Sequence, residues 1–414
     1  VISRTSAVRY ADTSMSIPDI AAELGVDALV EGSVLRAGDR VRVTAQLIDG
    51  RSDEHLWAQS YDRELEDVLA LLSEVAKGIA REIEITLTAE QERRLASAPT
   101  VAPEVQELFL RGQHHFNSGS FSEFGKALEY QRQAVELDPS FAQGWGALAG
   151  SYLIHGFFSL APTEEMIPKA RAAARRALDL DSSVSGAHTT IGYIALFFDW
   201  DWDTARRELE MALEFDPTDM MAYHGYADYL LVTGDCDGSV DQVRLGRSYD
   251  PMSGWAHSFV TAHLTICGRY DEALAEGRRT RELGIEGGAT DYYMGLALWL
   301  QGEYDSALAQ WRDVYGAESD TFKALTRGYA EGGPPGAMLA HAELAASRSR
   351  RDDPYSIATL YAAAGEVDTA FAWLETAYSE RTPFLLHMTF DPRLDPLRYD
   401  PRFDDLLRRI GIPE

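Results

Sequence analysis

His224 and Asp228 stand four residues apart in the run Tyr223-His224-Gly225-Tyr226-Ala227-Asp228, a spacing that puts both side chains on one face of a helix. There they form either a hydrogen-bonded pair in the wall of a groove or an imidazole–carboxylate couple able to move a proton. Asp199-Trp200-Asp201-Trp202 joins aromatic faces that stack on sugars or cations to carboxylates that hold cations. Its place between two helical segments favours a different reading, in which the tryptophans wedge between structural units and the carboxylates cap the following helix. His114 and His115 are adjacent, so their rings diverge on a helix, and no Cys, Asp or Glu lies beside them at ligand spacing. No metal and no cofactor is expected.

Larger catalytic signatures are missing from the sequence. It holds no phosphate-cradling glycine loop with lysine, no dinucleotide fingerprint, no zinc-protease helix motif and no nucleophile elbow. The expectation is a non-enzymatic chain. Cys236 and Cys267 are the only cysteines. They are too few for a disulfide scaffold and lack metal-ligand spacing, and buried unpaired cysteines are mostly small apolar fillers. Whether the two pair stays open, and with it the redox compartment.

With 38 Lys+Arg against 66 Asp+Glu, the formal charge of -28 repels phosphate backbones and anionic headgroups, so nucleic acid is not an expected partner. The longest apolar run, near residues 191–198, falls far short of the roughly 18 residues that span a bilayer. No direct membrane span is expected. The sequence opens on Val1 without a signal-peptide pattern, which suggests an excerpt or a processed form.

Apolar residues from Leu65 through Val68, Leu69, Leu72, Val75, Ala76 and Ile79 to Ile83 recur at helical spacing. Before them, Val41, Val43, Ala45 and Leu47 alternate with Arg40, Arg42, Thr44 and Gln46, the two-residue period of a strand. Turns at Gly38-Asp39 and Gly50, and a further strand over residues 55–61, make an antiparallel meander. A short helix near residues 16–24, with Pro18 in its first turn, links it to an opening strand at Val1-Ile2. Residues 1–96 thus read as a small α+β domain. Residues 97–103, containing Pro99 and Pro103, read as a linker.

Beyond the linker, helical periodicity repeats. Asp138-Pro139, Asp216-Pro217, Asp250-Pro251 and Asp353-Pro354 follow amphipathic segments, and Asp181-Ser182 stands where another pair would fall. The steps 181 to 216 and 216 to 250 are 35 and 34 residues, the period of stacked helical hairpins. The longer step from 138 to 181 implies an insertion at residues 157–168. Alanines at 127, 134, 170, 177, 205, 212, 273, 307, 370 and 377 mark close helix approaches. Trp145, Leu148, Tyr152, Tyr223, Tyr226, Leu230, Tyr361 and Leu374 supply the knobs. Gly234, Gly268, Gly302 and Gly365 supply the turns. About seven clear units and a degenerate one, broken by Gly332-Gly333-Pro334-Pro335-Gly336, fill residues 104–389, and residues 390–414 cap the last of them. The fold class is mostly α, a right-handed solenoid with a small N-terminal α+β domain.

These residues resemble the tetratricopeptide family over about three-quarters of the chain. Val1-Ile2-Ser3-Arg4-Thr5-Ser6, Val30-Glu31-Gly32-Ser33-Val34, residues 41–49 and Trp57-Ala58-Gln59-Ser60-Tyr61 look like the second half of a TolB-like amino-terminal domain. The pairing is similar to bacterial proteins in which it follows a class III adenylate cyclase, a serine/threonine kinase or a CadC-type winged-helix regulator. Asp199-Trp200-Asp201-Trp202 and Tyr399-Asp400-Pro401-Arg402-Phe403 also look like that group. The first strand and helix of a TolB-like domain, and any catalytic or DNA-binding module, are missing here. The resemblance implies a periplasmic or cell-surface location, with the cytoplasm as the alternative.

A solenoid's first helices line a concave groove, so binding is the expected use. The repeat register puts Gln113, Asn117, Tyr193, His224, Asp228, Trp255, Ser258, Tyr292 and Trp299 in that groove. They are mostly aromatic and uncharged and lack the basic set of the carboxylate-gripping subclass. The expected partner is therefore an apolar or proline-rich peptide, a basic segment, or a second copy of the chain. Self-assembly into a homo-oligomer or filament would use the solenoid ends, or an open strand edge at Val1, Ile2, Ser3, Arg4 and Thr5. The remaining alternative is the regulatory half of a cyclase, kinase or transcription regulator.

Overall fold

The computed structural model describes residues 2–11, 13–37, 40–64, 68–82, 101–118, 120–285, 288–348 and 353–412. The chain opens with α1 (Arg4–Val8) and α2 (Ile17–Leu24), continues through strands β1 (Ala28–Ala37), β2 (Arg40–Asp49) and β3 (His55–Glu64), and enters α3 (Val68–Glu82). The strands form an antiparallel sheet in the order β1-β2-β3. Val41, Ala45 and Leu47 are buried as the two-residue period requires. A register shift between Leu47 and Ile48 turns Ile48 inward as well, because a bulge resets the alternation. The expected Gly38-Asp39 turn, Leu65, Ile83, Val1 and the 97–100 part of the linker lie outside the described residues.

The opening strand expected at the N-terminus is not formed. Arg4 and Thr5 begin α1, because the Ser3 hydroxyl accepts from the Ser6 amide and caps a helix there. The segment is also fastened to the repeat array. Ser3 N–H donates to the Tyr249 carbonyl at 2.7 Å, and the Ser3 and Ser6 hydroxyls both donate to Asp250 Oδ1 at 2.5 and 2.6 Å. Ile20 and Leu24 are buried with Met252 and Ile285 of the array. In place of an open strand edge, the segment forms a helical dock onto the turn at Asp250-Pro251.

The array begins with α4 (Pro103–Asn117) and α5 (Phe121–Leu137), then α6 (Ala142–Phe157) and α7 (Thr163–Leu180). It continues with α8 (Ser185–Ile194), α9 (Trp202–Phe215), α10 (Met220–Val232), α11 (Cys236–Tyr249), α12 (Gly254–Ile266) and α13 (Tyr270–Glu282). Helices α14 (Gly288–Leu300), α15 (Tyr304–Tyr315), α16 (Asp320–Ser347), α17 (Pro354–Ala363) and α18 (Val367–Glu380) complete it. Successive helices pair as antiparallel hairpins, and α16 is itself a hairpin, bent where Gly333 takes φ +64°. A Cβ on Gly328 would collide with the Gly336 carbonyl, so the two arms touch backbone to backbone. This is the degenerate unit of the sequence.

Three of the five punctuating aspartates share one physical role, while Asp250 accepts from Ser3 and Ser6 and Asp353 caps α17. The carboxylates of Asp138, Asp181 and Asp216 each accept from the amide two residues on, at 2.9 Å, closing a side-chain turn where one hairpin ends. Gly234, Gly268, Gly302 and Gly365 all sit at positive φ between the helices of a pair, where a Cβ would be strained. All ten marker alanines are fully buried. Ala307→Leu is therefore expected to cost about 1 to 3 kcal/mol by overpacking. A urea midpoint equal to that of the unchanged chain would show that the contact at this site is loose.

The superhelix returns on itself. A π-helical turn (Ala195–Asp199) leads into Trp200 at φ +59°, and the Arg381 guanidinium lies 4.3 Å over its ring. Trp202 Nε1 donates to the Gly411 carbonyl at 2.6 Å. The tryptophans thus join the third hairpin to the end of the chain rather than wedging between neighbouring repeats. Asp201 caps α9, as expected, but Asp199 binds Arg171 at 2.8 Å instead. After α18 come two 3-10 segments (Pro383–Thr389 and Pro392–Leu397) and α19 (Pro401–Ile410), whose Phe403, Leu406 and Ile410 are buried. Cys236 and Cys267 are joined as a disulfide across adjacent hairpins, with Cα atoms 5.8 Å apart.

Candidate functional site

The first helices of the hairpins form the inner wall, and its N-terminal half holds an open groove of about 650 Å³. Five expected residues line it: Gln113 and Asn117 from α4, Tyr193 from α8, His224 from α10 and Trp255 from α12. Phe109, Phe116, Phe157, Phe158 and Phe259 widen the aromatic surface. Trp255 packs 5.9 Å from Phe158 and 5.6 Å from Phe259, ring to ring. Asp219, Asp216 and Asp250 set the groove's charge. Asp219 caps α10 and accepts from Thr189 and Ser185 at 2.7 and 3.0 Å, while burial pushes its carboxyl above the ordinary range.

The other four expected residues are not in this groove. Ser258 is 4% exposed and shares a hydrogen bond with Thr290 at 3.0 Å. Trp299 is 8% exposed, with Trp311 at 5.4 Å and Tyr304 at 4.8 Å between ring centres. Tyr292 faces the C-terminal segment, where its hydroxyl accepts from Arg393 Nη1 at 3.4 Å. Asp228 is 3% exposed.

Ser258 is buried against Thr290, and Asp228, Tyr292 and Trp299 lie behind residues 383–397, which run along the C-terminal half of the inner wall. Leu385, Leu386, Met388, Leu394 and Leu397 are fully buried there. Asp391 and Arg393 are clamped together, Nη2 to Oδ2 at 2.6 Å and Nε to Oδ1 at 3.0 Å, and the Tyr355 hydroxyl donates to Asp391 at 2.9 Å. Burial pushes the Asp391 carboxyl up, and the Arg393 guanidinium more than offsets this, leaving it below the usual carboxylate range.

Where the two halves meet, Asp228 is ringed by imidazoles. His224 Nε2 lies 3.4 Å from Asp228 Oδ2, while His263 Nε2 and His387 Nε2 lie 3.7 and 3.4 Å from Oδ1. Behind them, the Tyr193 hydroxyl is 2.6 Å from His224 Nδ1, and the Ser239 hydroxyl is 2.7 Å from His263 Nδ1. Burial lowers His224 below the ordinary imidazole value and His263 to about 3, so both are neutral near pH 7. The spacing of His224 and Asp228 identified half of this cluster. His263, one repeat further on at 35 residues beyond Asp228, carried a signal in the register; His387, in a 3-10 segment, carried none.

Hairpins of this period, stacked around an inner wall, define an α-solenoid of tetratricopeptide type with a small three-stranded sheet. No family model matches the chain. It is 35% identical over 205 residues to "Putative adenylate cyclase 3" of Rhizobium meliloti (strain 1021), an alignment covering 48% of this chain and 34% of that protein. The chain therefore matches about a third of that relative's length. Among solved structures, it is similar to the Cut9–Hcn1 hetero-tetramer of APC/C, at TM-score 0.47 and 14% identity, covering 83% of this chain and 63% of that one. A thermophilic TPR protein of Thermus thermophilus gives TM-score 0.37 at 17% identity over 50% of this chain and 99% of its own.

Proposed function

We propose that the chain is a protein-interaction module that grips an extended peptide segment of its partner in the groove between α4 and α12. The observation that carries this is the convergence of Gln113, Asn117, Tyr193, His224 and Trp255 from four inner helices on one open aromatic groove. Aromatic walls bury apolar side chains of a strand-like peptide. The carboxylates at the groove and the formal charge of -28 favour peptides carrying Lys or Arg beside those apolar residues.

The test is a fluorescence-anisotropy screen with synthetic peptides that alternate aromatic and basic residues, against acidic and scrambled controls. Trp255→Ala is expected to weaken the best peptide by at least about tenfold, as truncation of an aromatic anchor does. A screen without micromolar binders, or equal affinity for the variant, would remove the groove from the reading. Light scattering on the same samples separates self-association from peptide binding, since only the former makes mass rise with concentration.

A second reading, regulation of a cyclase, is favoured by the 35% identity to the rhizobial relative. The order α2-β1-β2-β3-α3 ahead of the repeats supports the TolB-like resemblance in the same direction. Fusing the chain to the remaining part of that relative and comparing cyclic AMP formation with and without Trp255→Ala tests it. Output indifferent to both the chain and the variant would end that reading. The Cys236–Cys267 bridge supports an extracytoplasmic location, because oxidising compartments preserve such pairs.

A further inference from the structure

We propose that His224, Asp228 and His263, with His387 supplied by the C-terminal segment, form a site for one divalent transition-metal ion of the Zn2+ type. Three imidazoles and a carboxylate are a donor set suited to Zn2+, Co2+ or Ni2+.

The distances carry the argument. Imidazole nitrogens at 3.4, 3.7 and 3.4 Å from the carboxylate oxygens are longer than ordinary hydrogen bonds. The two that share Oδ1, from His263 and His387, are near the edge of a coordination tetrahedron, about 3.4 Å when each ligand is about 2.1 Å from the ion, and His224 stands at the same distance from the other oxygen, Oδ2. One donor atom each from His224, Asp228 and His263 lies within 4.8 Å of the other two. His387 Nε2 is buried without a hydrogen-bond partner and turned toward Asp228 Oδ1.

The groups behind the imidazoles complete the pattern. In the tautomer that lets the Tyr193 hydroxyl donate to the Met221 carbonyl at 3.1 Å, His224 Nδ1–H donates to Tyr193 and the Nε2 lone pair faces the carboxylate. His263 Nδ1 is likewise paired with a hydroxyl, that of Ser239. Hydroxyls on Nδ1 orient metal-binding imidazoles, and a cation removes the repulsion between lone pair and carboxylate. His224 also lines the open groove, which supplies an entry path. The ion would tie α10 and α12 to residues 383–397, fastening the segment that covers the inner wall.

Chelator-treated full chain is titrated with ZnCl2 by calorimetry and with CoCl2 by visible absorption. One equivalent bound, with the intense d–d bands of a tetrahedral Co2+ ion, is expected. His263→Gln, which keeps a partner for Ser239, should weaken binding by about tenfold or more. The control His114→Ala/His115→Ala should bind as the unchanged chain does. Proteolysis within residues 383–397 should be slower with Zn2+ than with EDTA. No stoichiometric binding by the unchanged chain, equal affinity in His263→Gln, or loss of binding in the control instead would overturn the site, whatever the stability of the variants.

Discussion

Asp391→Ala should destabilise the chain by about 3 to 5 kcal/mol, the cost of stripping the partner from a buried charge. The Arg393 side chain is 17% exposed and spends three of its contacts on Asp391. Without that carboxylate its partner among the described residues is the Tyr292 hydroxyl, at 3.4 Å. Tyr355, fully buried, loses its acceptor at the same time. The loss should appear as a lower denaturation midpoint, and as rapid proteolytic cleavage within residues 383–397, because this pair holds the segment on the inner wall. Replacing both members, Asp391→Leu with Arg393→Met, should recover much of the stability, since no unpaired charge is left behind. If the single and double variants lose equally, packing rather than charge pairing holds the segment.

Trp299→Ala comes next in size, at about 3 to 5 kcal/mol, the range for removing a large aromatic from a core. Trp299 occupies a groove position by register, yet only 8% of it is exposed, against Trp311 and Tyr304 and beneath the segment carrying Pro392 and Arg393. The substitution should therefore lower stability while leaving peptide affinity of the folded chain nearly unchanged, the reverse of Trp255→Ala. A variant of normal stability with impaired peptide binding would return Trp299 to the groove.

The contrast between these two tryptophans shows how far the register reads. Both fall on first helices, and nothing local distinguishes them. Trp255 faces an open wall, whereas Trp299 faces a wall that the chain's own C-terminal segment has covered. Likewise, Ser3 to Thr5 have strand-compatible residues, but Ser3 caps a helix and binds a turn more than two hundred residues away.

What the amino-acid sequence determined by itself was the repeating unit. Asp138, Asp181 and Asp216 at hairpin ends, Gly234, Gly268, Gly302 and Gly365 in turns and the marker alanines at close helix approaches act within one or two hairpins, so their spacing alone specifies local geometry. The tertiary structure decided which stretch of inner wall stays open, and it gathered His263 and His387 around Asp228. It also brought Trp202 to Gly411 and Arg381 to Trp200. Those contacts depend on the accumulated rotation of many stacked hairpins, a sum of small angles that no single repeat encodes.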